Sequence, residues 1–211
     1  AMALDTVFRI ASMTKAITAA AAMKLVEEGR IGLDQPMKEI AAQIGQAQVL
    51  TGFDTSGKPQ TRAPKRDVTL RHLLTHTSGY AYGLFNTQVG NYMQYHQLPS
   101  IATCKFDSLK APLVFDPGER WEYGIGIDWA GRIVEIVSGM KYEDFLRTRL
   151  FEPLGMKDTT FHPDDAHRAR IARTYKMDED THELVPGYNP FVTSHASVQH
   201  MPEPAGGLFS T

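Results

Sequence analysis

Ser12 and Lys15 stand three residues apart at the head of the run Ala16–Glu28, whose composition predicts a helix. Residues i and i+3 share a helix face, so the Lys15 amine can lie against the Ser12 hydroxyl. The positive end of the helix macrodipole sits there and works against a charged ammonium. A neutral amine beside a serine hydroxyl can take its proton, which makes the serine a nucleophile. The bland alternative has Ser12 as a helix cap and Lys15 as a solvated first-turn residue. The same spacing recurs at Ser138 and Lys141, with Gly139 between them as expected at a helix C-terminus. There the dipole has the wrong sign, so position rather than spacing favours the first copy. Val7–Ala11 gives it an apolar approach. The alanine-rich run behind it, small on nearly every face, predicts a helix closely surrounded by others.

A serine–lysine pair needs a second proton carrier and donors for the oxyanion. Tyr123, in Trp121-Glu122-Tyr123-Gly124-Ile125-Gly126, lies just past a turn and before a helix, where its hydroxyl can enter a cleft and shuttle a proton with Lys15. The alternative is a packed tyrosine with a hydrogen-bonded hydroxyl. His72 and His76 have the spacing of a metal-binding helix pair, but no Glu follows His72. They read as structural residues tying down a loop. His195 and His200 stand in a polar loop. No G-x-S-x-G elbow supports Ser-His-Asp chemistry. Asp164-Asp165 and Asp178-Glu179-Asp180 lack the ligand spacing of a calcium loop and read as solvated charges.

The elements that must carry these residues are legible in part. The first helix is expected from about Ser12 to Glu28, stopped by Gly29. A short helix is expected over Met37–Ile44. Val49–Phe53 and Pro59–Arg62 flank a glycine-containing turn and predict a hairpin. Thr69 is the expected N-cap of a short helix, Leu70–His76. Residues 80–120 are aromatic, polar and aperiodic, the profile of a functional loop. After the turn at Asp116–Arg120, Trp129, Ile133, Ile136 and Val137 mark a helix closed by Ser138-Gly139. Another helix, Tyr142–Leu150, should stop before Pro153. From Phe161 onward the chain is polar and turn-rich, and its last residues read as the start of a new helix.

Net charge is −2 over 211 residues, with acids and bases interspersed. Nothing resembles the basic stripe of a nucleic-acid-binding protein. No stretch reaches the length of apolar residues that a membrane span needs. One cysteine, Cys104, excludes an internal disulfide and reads as a small packed residue. The expectation is a cytoplasmic protein, of which these residues are part of a longer chain.

Four stretches together resemble the serine β-lactamase and penicillin-binding-protein superfamily. They are Phe8-Arg9-Ile10-Ala11-Ser12-Met13-Thr14-Lys15, Leu70–Gly79, Pro117–Ile125 and Leu150–Met156. Within the superfamily the chain is most similar to the β-lactamase-like family VIII carboxylesterases and related acyltransferases. The resemblance implies an α/β (α+β) β-lactamase/transpeptidase-like fold. Residues 1–211 would form a partial serine hydrolase domain, mainly its helical region with hairpin and loop insertions, and much of the antiparallel sheet missing. It implies acyl transfer through a serine ester, with Ser12 as nucleophile, Lys15 as its base and Tyr123 as the tyrosine of the second motif. Backbone amides, one of them from Ser12, would hold the oxyanion. No metal and no cofactor are expected, and the partner is a small-molecule ester.

Two departures from the family pattern matter. Ile125 stands where class C β-lactamases and many penicillin-binding proteins carry Asn, which shifts the expected substrate from β-lactams to short-chain carboxylic esters, with weak β-lactam hydrolysis alongside. The family's third motif lies beyond Gly206-Gly207-Leu208. The enzyme alternative is a β-lactamase or D-Ala-D-Ala carboxypeptidase. The non-catalytic alternative is a penicillin-recognising scaffold or an inactive fragment.

Overall fold

A computed structural model describes residues 2–103, 105–187 and 207–211. Cys104, His195 and His200 fall outside the described residues. The architecture is mixed. Helices α1 (Thr14–Glu27), α2 (Leu70–Leu74), α3 (Thr87–Tyr95), α4 (Gly126–Ser138), α5 (Tyr142–Leu146), α6 (Glu152–Leu154) and α7 (Asp165–Arg170) alternate with strand pairs. Strands β1 (Phe8–Arg9) and β6 (Phe209–Ser210), β2 (Val49–Phe53) and β3 (Pro59–Arg62), and β4 (Tyr175–Met177) and β5 (Leu184–Pro186) form three two-stranded antiparallel sheets. Among the described residues no helix is long and apolar enough to cross a membrane.

The centre is the packing of α1 on α4. α1 buries Thr14, Thr18, Ala21, Ala22 and Leu25, positions that recur at helical spacing on one face. α4 brings Trp129, Ala130, Gly131, Ile133 and Val134 into the interior. Small residues on both helices let their axes approach, and Leu70 and Leu73 of α2 join the same core. Among the described residues Ala16, Ala20 and Met23 of α1 are exposed. Its alanines serve close approach along one stripe. Trp129 is the largest wholly buried side chain, packed near Tyr80 and Phe106. Trp129→Ala is expected to cost about 3–5 kcal/mol in urea denaturation, the range for deleting a buried aromatic.

Helix ends follow the sequence closely where glycine supplies them. Gly29 and Gly139 adopt φ of 68° and 72°, the left-handed conformation that terminates α1 and α4. Thr69 caps α2 reciprocally: its side chain accepts from the His72 amide, and His72 Nδ1 accepts from the Thr69 amide. The helix expected to end at Leu150 instead continues to Leu154. It widens into a π-turn over Arg147–Phe151 and carries Pro153 in its last turn. The wider register absorbs the donor that proline lacks.

Two further expectations are overturned. Met37–Ile44 is not one helix but two 3₁₀ turns, Met37–Glu39 and Ile44–Gln46, which still bury Met37, Ala41 and Ile44. Phe209–Ser210 is a strand, β6, rather than a helix start, because β1 and Thr160 offer it backbone partners. Asp164 is a solvated charge as expected, and it also caps α7 and holds His167 through its amide and its Nδ1.

Two clamps fix the part of the fold that carries the candidate site. Ile10 donates to the Leu208 carbonyl at 3.0 Å, and the Leu208 amide donates to Thr14 Oγ1 at 3.3 Å, so β6 grips the chain on either side of Ser12. On the opposite side, Arg62 donates through both terminal nitrogens to Asp116, at 2.8 and 2.7 Å, and the Lys65 amide adds a third bond at 2.8 Å. Asp116 is wholly removed from solvent. These bonds favour its charged form and hold its carboxyl far below the usual range. They also tie the β2–β3 hairpin to the loop that leads to Tyr123.

Candidate active site

Ser12 sits in a 3₁₀ turn, Ala11–Met13, that feeds directly into α1. Ala11 just before it has φ of 44°, a left-handed conformation uncommon for a residue with a Cβ. That residue turns the chain from β1 into the helix. The Ser12 side chain does not cap α1. Its hydroxyl instead meets two side chains. Lys15 Nζ donates to Ser12 Oγ at 3.1 Å, and the Tyr123 hydroxyl lies 2.7 Å from the same oxygen. The structure thus brings together the three residues singled out from sequence, two of them 111 positions apart. Ser12 is exposed, so an electrophile can reach it.

The second S-x-x-K copy is built differently. Ser138 Oγ donates to the Glu135 carbonyl at 3.4 Å and accepts from the Met140 amide at 3.1 Å, closing the end of α4. Lys141 begins the next helix.

Tyr123 is held by backbone rather than by its hydroxyl alone. The Glu122 amide donates to the His76 carbonyl at 2.9 Å, and the Gly118 amide to the Thr77 carbonyl at 2.7 Å. Gly124 approaches so closely that a Cβ there would stand 2.2 Å from the Tyr80 carbonyl oxygen and 2.5 Å from Ala81 Cα. Both contacts are backbone and cannot swing away. Gly124→Ala must therefore push residues 123–124 outward. Turnover is expected to fall about 10–100-fold, since an ångström of misplacement costs that much. A steady-state assay beside a thermal melt separates this loss from unfolding.

Several neighbours escaped sequence reasoning. Tyr82 packs against Tyr123 with ring centroids 5.3 Å apart, and its hydroxyl donates to the buried Asp128 carboxylate at 3.2 Å. Lys15 Nζ lies 5.0 Å from the Tyr123 ring centroid and 5.7 Å from that of Tyr82, within cation–π range of both. Phe85 and Trp121 contact the Tyr123 ring as well, at 6.3 and 6.4 Å. Met13, Leu84, Phe85 and Trp121 are all more than 60% exposed. Phe85 and Trp121, packed on the Tyr123 ring, therefore give the polar centre an exposed apolar border. Asn86 caps α3 and donates through Nδ2 to Glu122 at 3.2 Å. The aperiodicity of residues 80–120 was the only signal for this loop, and it named no residue.

His72 and His76 do not converge on a shared ligand. His72 serves its helix cap. His76 sits against the Tyr123 ring at 4.9 Å, and burial first, then the Lys15 charge, hold its imidazole below the ordinary value. Among the described residues no three His, Cys, Asp or Glu side chains gather in a metal-binding group. Ile125, the residue in place of the family Asn, is buried in the core and presents no polar group to the site.

A family model described as Beta-lactamase matches residues 1–211. A lovastatin esterase of Penicillium rubens is 39% identical over 162 residues, covering 76% of the chain and 41% of that relative. A monacolin J acid methylbutanoyltransferase of Aspergillus terreus is 38% identical over 159 residues, covering 75% of the chain and 38% of the relative. Among solved structures, unliganded simvastatin synthase from Aspergillus terreus superimposes with a TM-score of 0.87 at 32% identity, over 99% of this chain and 52% of that one. The chain thus spans between 38% and 52% of the length of these relatives.

Proposed function

The chain belongs to the Beta-lactamase family, and on that footing we propose that it carries the nucleophile of a serine acyl-transfer enzyme cleaving short-chain carboxylic esters. One observation carries this reading: a single exposed hydroxyl, Ser12 Oγ, within hydrogen-bond distance of both an amine and a phenol. Lys15 takes the Ser12 proton as Oγ attacks the ester carbonyl. The tetrahedral oxyanion is held by backbone amides, that of Ser12 among them. Tyr123 passes a proton to the departing alkoxide, which leaves as the alcohol, and Ser12 retains the acyl group. Water or a second alcohol then attacks the acyl-serine and gives its proton to the Tyr123–Lys15 pair, which returns a proton to the departing Ser12 oxygen as acid or new ester is released.

The exposed Phe85 and Trp121 beside Tyr123 support an ester with a bulky apolar alcohol, in keeping with the lovastatin esterase and methylbutanoyltransferase among the relatives. The buried Ile125 speaks for esters over β-lactams. Its position offers no amide to a β-lactam side chain. The test compares turnover of p-nitrophenyl butyrate with that of a chromogenic cephalosporin by the full-length protein, with and without an added alcohol acceptor. Ester turnover in excess of cephalosporin turnover, diverted to new ester by the alcohol, is the expected result. Preferential cephalosporin cleavage would replace this reading with a β-lactamase.

A further inference from the structure

We propose that His76, in its neutral form, is a positioning residue that sets the Tyr123 hydroxyl against Ser12. The inference rests on the acyl-transfer reading. His76 holds the segment bearing Tyr123 at both ends. Its carbonyl accepts the Glu122 amide at 2.9 Å, and its Nδ1 lies 3.5 Å from the Gly124 amide, which points a hydrogen at it. Between these two anchors the imidazole packs on the Tyr123 ring at 4.9 Å and, edge-on, near Trp121 at 6.1 Å. Tyr123 is thus fixed by backbone on each side and by a ring across its face.

The arrangement selects one form of the imidazole. Nδ1 can accept from Gly124 only when it carries no proton, so the ring must be neutral with its hydrogen on Nε2. Protonation would set two donors, Nδ1–H and Gly124 N–H, facing each other. Burial and the Lys15 charge both oppose that protonation. The other ionisable groups around His76 are accounted for. Glu122 turns its carboxylate to Asn86, Tyr123 faces Ser12, and Tyr82, packed on Tyr123, turns its hydroxyl to Asp128. The backbone of His76 has φ of 57°, which a bare structural role would more cheaply give to glycine or asparagine.

That same φ supplies the test. Asparagine tolerates the left-handed conformation, and its Oδ1 can accept from Gly124 where Nδ1 did, but it does not titrate. Glycine relieves the backbone and offers no acceptor. In the full-length protein, His76→Gly is expected to lower kcat for an alkyl butyrate about 10–100-fold with little change in KM. His76→Asn is expected to restore most of that loss. As pH falls, the parent should lose activity through one protonation step more than His76→Asn, so that the acid-limb slope of log kcat is about one unit shallower in the variant. Nitrogen-15 histidine spectra give a reading independent of turnover: Nδ1 unprotonated and Nε2 protonated at neutral pH, with the Gly124 amide shifting as His76 titrates.

An unchanged acid limb in His76→Asn, or a neutral-pH His76 with its hydrogen on Nδ1, would overturn the proposal. Equal kcat in His76→Asn and His76→Gly would also overturn it. Ser12→Ala run alongside separates the two levels of inference. If that variant still turns over ester, the acyl-transfer reading is the one that fails, and the histidine spectra still decide whether His76 binds Gly124 as described.

Discussion

Ser12→Ala is expected to reduce kcat/KM for p-nitrophenyl butyrate by about 10⁴-fold or more, because it removes the oxygen that carries the acyl group. The loss should be chemical rather than structural. Ser12 is exposed and its side chain caps no helix, so stability is expected to stay within about 0.5 kcal/mol of the parent. The hydroxyl's two partners are Lys15 and Tyr123, at 3.1 and 2.7 Å. Groups that act as a unit are not additive, and Ser12→Ala combined with Lys15→Met should be no slower than Ser12→Ala alone. Steady-state rates paired with thermal melts check both statements. A Ser12→Ala protein with a tenth of the parent rate would move the nucleophile elsewhere.

Tyr123→Phe is expected to have the next largest effect, about 10²–10⁴-fold in kcat, the range for losing a general acid–base group. The ring is gripped by His76, Tyr82, Phe85 and Trp121, and phenylalanine keeps all of those contacts. What it removes is the hydroxyl 2.7 Å from Ser12 Oγ. The deficit should therefore fall on kcat, leave KM within a few-fold, and shrink for esters whose leaving group needs no proton. Nitrophenolate is such a leaving group, so an alkyl butyrate should show a larger deficit than p-nitrophenyl butyrate. An equal deficit on both esters would assign Tyr123 to positioning Ser12 rather than to leaving-group protonation.

Why Ser12, Lys15 and Tyr123 were readable in the sequence and their surroundings were not has a physical basis. Ser12 and Lys15 are local: one helical turn brings them together, and an apolar approach plus an alanine-rich run betrays that turn. Gly29 and Gly139 mark helix ends through a left-handed conformation that few residues adopt without cost, Thr69 marks one through its capping side chain, and the β2–β3 hairpin is written in its glycine turn. Tyr82, Asn86 and Asp128 carry no such local mark. Their roles come from long-range placement: residues 113–124 are laid along 76–81 by the Val114–Gly79, Gly118–Thr77 and Glu122–His76 bonds. His76 was read as structural because spacing tested only its partnership with His72. Nothing in the spacing could show that Tyr123 lies across its ring. The short helices α3 and α7 were missed for a related reason. Each depends on one capping side chain, Asn86 or Asp164, in a stretch with little apolar periodicity.

The Met37–Ile44 stretch shows the converse. Its apolar residues fall at helical spacing and are buried as that spacing requires, yet the backbone meets the requirement with two tight turns. Periodicity specified which side chains go inward. It did not specify the hydrogen-bond register that carries them.

Covalent capture tests the central claim most directly. The full-length protein, mixed with p-nitrophenyl butyrate and quenched in acid within the first turnovers, should carry the mass of one butyryl group. Proteolysis and tandem mass spectrometry should place that group on the peptide containing Ser12-Met13-Thr14-Lys15, at the serine oxygen. A fluorophosphonate should block the same residue and abolish turnover in step with labelling. A butyryl group found on any other side chain, or full turnover after complete fluorophosphonate labelling of Ser12, would contradict the account.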